Sequence, residues 1–383
     1  MKELCKIISG EITKDKILNN IKKATLDVLE QKKKVFFCGK MPWIVDMYDD
    51  LCDWFGKGVE IRFVDIEKEE STIHLSELPA ILDEESVCVI CSRAYCEQYY
   101  EVLKDFKNVI YYPCFLLATQ IKNSNKYGYT YADIVESVSN VIDNAKIYQE
   151  LLDNLEDEES KNLLCRIILF RLSFDLSLTE GVKSKEVQYW DKNVYRFTNS
   201  DIIVDAGGFT GDSLNVFYET WGEQCKEYHL FEPTKSVHEA ERYAETIPIN
   251  VITHNCGLYD YNGAISFALR DGASGQPSSV SQVDKDGEVS ISIMRLDSVL
   301  KESPTFVKMD IEGSELMALD GSEGIISDHT SFAICAYHKI NDIIEIYQWL
   351  KKHGNYCFYM RAENNNLMTE FVLFGIAKGS TRE

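Results

Sequence analysis

No stretch of the chain holds about 18 or more consecutive apolar residues, which removes a membrane-spanning helix from consideration. The opening residues, Met1-Lys2-Glu3-Leu4-Cys5-Lys6, lack the apolar core of a secretory leader. Positive charge is scarce: 40 Lys and Arg stand against 62 Asp and Glu, a net charge of -22. Such a surface repels nucleic-acid backbones, and the one short basic run, Lys32-Lys33-Lys34, reads as a solvated helix end beside a strand. A small-molecule or glycan substrate is therefore expected, with no nucleic acid and no membrane span. Internal repeats and low-complexity linkers are also missing, so 383 residues suggest two or three ordinary domains. Twelve cysteines without an export signal point to free thiols in a reducing, cytoplasmic setting.

What is there alternates. In residues 1–115, Val35-Phe36-Phe37-Cys38-Gly39, Glu60 to Asp65, Ser86 to Cys91 and Val109 to Tyr112 read as strands. Helical spacing fills Ile44 to Phe55 and Tyr95 to Phe106, so a small Rossmann-like parallel sheet is expected. The turn Gly39-Lys40-Met41-Pro42-Trp43-Ile44 has one glycine where a dinucleotide fingerprint has three, which argues for an accessory module rather than a second cofactor site. Cys88, Cys91, Cys96 and Cys114 lack the paired spacing of a zinc site and read as buried thiols. Residues 116–198 carry apolar residues at helical intervals and read as a helical connector. Within it, Tyr189 and Trp190 suit either stacking on a sugar face or interdomain packing.

Residues 199–383 form a second, larger α/β domain. Strands are expected at 201–205, 227–231, 250–254, 305–310, 331–336, 355–360 and 371–377, and helices near 212–221, 234–246 and 340–353. Two further β-like runs, Ala264 to Leu269 and Val289 to Met294, flank a polar loop, Gly272 to Gly287, with the composition of a mobile lid. Three strand ends carry acids. Ile202-Ile203-Val204-Asp205 runs into Ala206-Gly207-Gly208-Phe209-Thr210-Gly211-Asp212; Tyr228-His229-Leu230-Phe231 ends on Glu232-Pro233; Val307-Lys308-Met309 ends on Asp310-Ile311-Glu312-Gly313. Ligands of open α/β sheets lie at such strand ends. An acid before the glycine turn repels a pyrophosphate and attracts an ammonium or sulfonium, which favours S-adenosylmethionine over a dinucleotide. On that reading Asp205 and Asp212 face the methionyl group, Gly207, Gly208 and Gly211 leave it room, and Glu232 accepts the ribose hydroxyls.

These blocks, with Arg295-Leu296-Asp297-Ser298-Val299-Leu300, resemble the signatures of FkbM-type methyltransferases over roughly residues 200–378. The resemblance implies a class I methyltransferase fold, a seven-stranded Rossmann-like sheet whose last strand is antiparallel. It also implies S-adenosylmethionine as cofactor and a hydroxyl oxygen, on a sugar or polyketide, as methyl acceptor. Gly257 and Leu258, after the third strand, take the place that usually meets the adenine. Many relatives carry Gly-Ala-Asn after the first acid, where this chain has Gly207-Gly208-Phe209. Many also carry Glu-x-His at the fifth strand end, where this chain has Ala336-Tyr337-His338.

Methyl transfer to a hydroxyl needs the acceptor oxygen placed behind the methyl group and a base for its proton. His338, with an ordinary pKa of about 6.5, is the candidate base, and Asp310 the candidate orienting acid. Glu312 and Ser314 have a rival role as caps of the following helix. A divalent metal on Asp310, Glu312 and His338 is allowed by residue type but not demanded by spacing, and none is expected. Two other readings remain: a non-catalytic nucleotide-sugar or cofactor-binding protein on the same fold, and an NAD-linked oxidoreductase, against which Asp205 and the absent first glycine count.

Overall fold

The apolar runs of the N-terminal third pair side by side. β1 (Lys34–Cys38), β2 (Glu60–Asp65), β3 (Ile73–His74), β4 (Ser86–Ile90) and β5 (Val109–Tyr111) form a parallel sheet in the order β3-β2-β1-β4-β5. β1 and β4 are buried almost throughout, which is why they read as continuous rather than alternating apolar runs. The helical stretch at Ile44 to Phe55 is two helices, Pro42–Asp46 and Tyr48–Phe55. Cys38, Cys88, Cys91, Cys96 and Cys114 are buried free thiols, and burial raises the pKa of Cys91 well above its ordinary value.

A computed structural model describes residues 2–30, 32–39, 42–67, 71–92, 95–121, 131–268, 282–283 and 289–379. It divides the chain into two units. The first comprises Met1–Leu152, Leu163–Val182 and Asn365–Thr369; the second comprises Asp153–Asn162, Lys183–Asn364 and Glu370–Glu383. Among the described residues, no helix is long and apolar enough to cross a membrane.

The second unit holds β6 (Ile202–Ala206), β7 (Glu227–Phe231), β8 (Val251–His254), β9 (Gly257–Leu258), β10 (Gly263–Ala268), β11 (Gln282–Val283), β12 (Val289–Met294), β13 (Phe306–Met309), β14 (Ser331–Cys335), β15 (Tyr356–Ala362) and β16 (Phe371–Ala377). Seven of these make one sheet, in the order β15-β16-β14-β13-β6-β7-β8. β6, β7, β8, β13 and β14 run parallel, and β16 runs antiparallel to both of its neighbours. This is the sheet that the resemblance implies. A second sheet, β11-β10-β12-β9, is built from the two flanking runs seen in the sequence. The loop Gly272 to Gly287, expected to be a lid, lies outside the described residues apart from β11.

Residues 183–198 contain no helix and pack into the core of this second unit. Trp190 is fully buried against Phe197, Phe217 and Phe306, with ring centroids 5.1 to 5.8 Å away, and its indole nitrogen donates to the Ser213 carbonyl. Of the two uses weighed for Trp190, sugar stacking is ruled out by this burial. The short piece Asp153–Asn162 is tied in by Arg361, whose guanidinium meets Asp157 at 2.7 Å and Asp191 at 2.6 Å.

Candidate cofactor and acceptor site

The carboxyl ends of β6, β7, β13 and β14 converge, because parallel strands deliver all their ends to the same edge. β6 and β13 are in register such that Lys308 lies directly beside Asp205. Asp205 is fully buried, and Lys308 is 2% exposed. Oδ1 of Asp205 faces Lys308 Nζ at 2.8 Å, while Oδ2 accepts from Ser213 at 2.5 Å and Tyr228 at 2.7 Å. Burial opposes the lysine charge, but Asp205 and Asp310 outweigh it and hold the pKa above the ordinary value. Lys308 also donates to the carbonyls of Gly207 at 2.8 Å and Ala206 at 3.3 Å. The expectation that Asp205 meets an ammonium on the ligand is thus corrected: its carboxylate is enclosed by protein and anchors the glycine turn through Lys308.

The glycines are likewise spent on the protein. Gly207 has φ +78, and a Cβ there would sit 1.8 Å from the Asp310 carbonyl oxygen. A Cβ on Gly208 would strike Leu230, and Gly211, at φ +90, packs on Ala240. They let the turn lie close against β13, β7 and the helix Val237–Ala244, rather than simply leaving space for a ligand. Asp212 opens the helix Asp212–Trp221 and is exposed. The surrounding walls still raise its pKa, with burial the largest cause, Lys308 opposing and Asp205 adding. Glu232 is 6% exposed and braces the turn: one oxygen accepts from the Phe209 amide at 3.2 Å, the other from the Thr234 amide at 2.8 Å. Burial raises its pKa against those bonds. Gly257 and Leu258 form β9, paired to β12. Leu258 is 2% exposed and is a core side chain, so the expectation that it offers an apolar edge to an adenine is corrected; Gly257 lies beside Pro233 and Ile293.

Across the turn, the end of β13 meets the end of β14. Asp310 keeps a quarter of its side chain open and accepts a 2.8 Å hydrogen bond from the Tyr189 hydroxyl. His338 Nε2 faces Asp310 at 3.4 Å and Glu312 at 3.6 Å, and Nδ1 faces Glu315 at 2.9 Å. Burial lowers the imidazole pKa, but Glu315, Asp310 and Glu312 outweigh it and bring it up to about 9. The ordinary value used in reading His338 as a base therefore does not hold here. Burial pushes Glu312 up to about 8, with His338 opposing and Asp310 adding. Glu312 also adopts φ +55, a left-handed conformation that costs energy and concentrates at working sites.

The cap roles weighed for Glu312 and Ser314 fall to a residue that the sequence reading gave no role. Ser314 makes no side-chain cap bond; Glu315 Oε1 instead accepts from the amides of Ile311 and Gly313. Glu315, His338 and Asp342 each offer a metal-ligating atom within 4.8 Å of the others. Asp342 was missed because it reads as an ordinary acid in the first turn of its helix; Tyr189 was singled out, but not as the partner of Asp310, which lies 121 residues later. Ala336, in the place of the missing acid, is fully buried, and Glu315 stands beside the imidazole.

The strand order and the acidic crevice can now be set beside known proteins. The family model for the methyltransferase FkbM domain matches residues 205–357. A crystal structure of methyltransferase FkbM from Methylobacillus flagellatus KT is similar at 18% identity with TM-score 0.65, covering 94% of this chain and 99% of that one. An rRNA methylase from Streptococcus thermophilus aligns at 12% identity and TM-score 0.30 over 48% of this chain and 90% of that one. A precorrin-6y C5,15-methyltransferase from Geobacter metallireducens GS-15 aligns at 11% identity and TM-score 0.28 over 47% and 82%. No curated protein sequence matches. The region from the glycine turn to β15 is a methyltransferase domain of the FkbM family.

Proposed function

We propose that the chain transfers a methyl group from S-adenosylmethionine to a hydroxyl oxygen of a small-molecule or glycan acceptor. One observation carries this reading: the crevice is acidic, and the buried lysine beside it is already spent. Asp212, Glu232, Asp310 and Glu312 ring the strand ends, while Lys308 is consumed by Asp205 and the turn carbonyls. A pyrophosphate would face carboxylates there, whereas an ammonium and a sulfonium would be welcomed.

S-adenosylmethionine supplies, when bound, a methyl group on an activated sulfonium. Glu232 keeps lone pairs on both oxygens and is suited to the ribose hydroxyls. Asp212, at the positive end of its helix, is suited to the ammonium. Asp310, partly open and held by Tyr189, is suited to orient the acceptor hydroxyl and take its proton as the oxygen attacks. His338 Nε2 stands 3.4 Å behind Asp310, where its charge favours the ionised carboxylate.

Calorimetric titration of the full chain tests this. S-adenosylmethionine and S-adenosylhomocysteine are expected to bind and NADH not to. Glu232→Ala should weaken both sulfur ligands about 10- to 100-fold, the cost of hydrogen bonds to a charged group. Failure of both to bind would leave the non-catalytic reading, and binding of NADH alone would restore the oxidoreductase.

A further inference from the structure

We propose that Glu315, His338 and Asp342 form a binding site for one divalent cation of the Mn2+ type, directly behind Asp310. The three offer one ligand atom each within 4.8 Å of one another. Atoms sharing an ion at about 2.0–2.3 Å lie about 3–4.5 Å apart, so small side-chain shifts complete the site. The residues are also incompletely satisfied. Glu315 is 1% exposed, yet among the described residues its Oε2 has no hydrogen-bond partner. The His338 side chain is 8% exposed, and neither ring nitrogen is in hydrogen-bond geometry, although Nδ1 is 2.9 Å from Glu315 Oε1. Buried polar atoms are normally paired, and orphans that converge call for an occupant.

Charge points the same way. Asp310, Glu312 and Glu315 all face one imidazole, and a carboxylate oxygen of Asp342 lies within 4.8 Å of both Glu315 and that ring. A single proton on that ring offsets one carboxylate and leaves Glu315 Oε2 without a donor; a dication offsets two and takes up that oxygen. One imidazole with two carboxylates is a donor set of intermediate hardness, suited to Mn2+ better than to all-oxygen Mg2+. Backbone amides already orient the acids: Ile311 and Gly313 hold Glu315, and the Lys339 amide holds Asp342 at 2.6 Å.

A cation on the Nδ1 side leaves the ring proton on Nε2, which points at Asp310. His338 then acts as a positioning residue, donating to Asp310 and aiming it at the acceptor. Cation binding stands on these residues alone, whereas its bearing on methyl transfer rests on the function proposed above.

The test is Mn2+ titrated into the chelator-treated full chain, followed by loss of the aqueous Mn2+ electron paramagnetic resonance signal. One Mn2+ per chain is expected, with Mg2+ competing poorly. Glu315→Gln and Asp342→Asn should each weaken binding by about tenfold or more. Asp342→Asn retains an acceptor for the Lys339 amide, and circular dichroism checks that it is folded. No bound Mn2+, or equal binding by folded Asp342→Asn, overturns the site. Titrating the same samples with S-adenosylmethionine separates the two ideas: cofactor binding without Mn2+ sinks the metal alone, and Mn2+ binding without cofactor sinks the cofactor reading alone.

Discussion

Asp205 and Lys308 show how much one side chain depends on another that is remote in sequence. Both sit in the sheet interior, and each makes the other's charge tolerable. Lys308→Met would leave a buried carboxylate without its cation, at a cost of about 3–5 kcal/mol. Urea unfolding should show that loss, and adding Asp205→Asn should restore much of it, since a neutral pair needs no counter-charge. The acid was legible as a strand-end residue; its partner was not, because the pairing follows from strand register. His229 and His254 give a pH signature. Their rings stack, with Nδ1 of His229 3.1 Å from Nε2 of His254. Burial lowers both pKa values, and with His229 adjacent brings His254 to about 4. The unfolded chain, with histidine near 6.5, then binds more protons between pH 6.5 and about 4. Stability is complete above that window and falls through it as the pH drops, by on the order of 1–2 kcal/mol for these partly exposed rings. Denaturation midpoints at pH 7.5 and 5 should differ less in His254→Asn than in the natural chain.

At the level of elements, the seven strands of the large sheet were legible to within two residues. Strands buried on both faces must be continuous apolar runs, and such runs are visible without a partner. The helix Lys14–Leu29 was not seen, since its buried face is only Ile21, Thr25 and Leu29, a stripe too thin and too polar to announce itself. The glycine turn was recognised, but its packing against the protein was not. Its glycines answer to Asp310, Leu230 and Ala240, which lie on other elements. Gly208→Ala therefore meets a side chain, and Gly207→Ala meets backbone. Both should lower the melting temperature, by about 1–3 kcal/mol equivalent for overpacking. Leu230→Ala should partly rescue the first and leave the second unchanged, read by thermal unfolding and S-adenosylmethionine titration.

For the molecule as a whole, the second unit is assembled from three separate pieces of chain. The family resemblance begins near residue 200, but the fold it needs begins earlier, with Trp190, Tyr195 and Phe197 in its aromatic core. A fragment 199–383 loses all three, at about 3–5 kcal/mol for each large aromatic. That exceeds a typical stability of about 5–15 kcal/mol for all but the sturdiest domains. The fragment should bind a hydrophobic dye and unfold without cooperativity, while the full chain melts cooperatively. These aromatics were visible in the sequence, but nothing local distinguishes a core tryptophan from a ligand platform.

The position of β16 has a consequence on the ribosome. It lies between β14 and β15, yet it is the last of the seven strands to be translated. Until it emerges, β14 waits with an unpaired apolar edge, and β15 has no neighbour in the large sheet to join. Such an edge is a template for pairing with other chains. Newborn copies of this protein therefore pass through an aggregation-prone interval between the emergence of β14 and that of β16, when a holdase chaperone would do the most good.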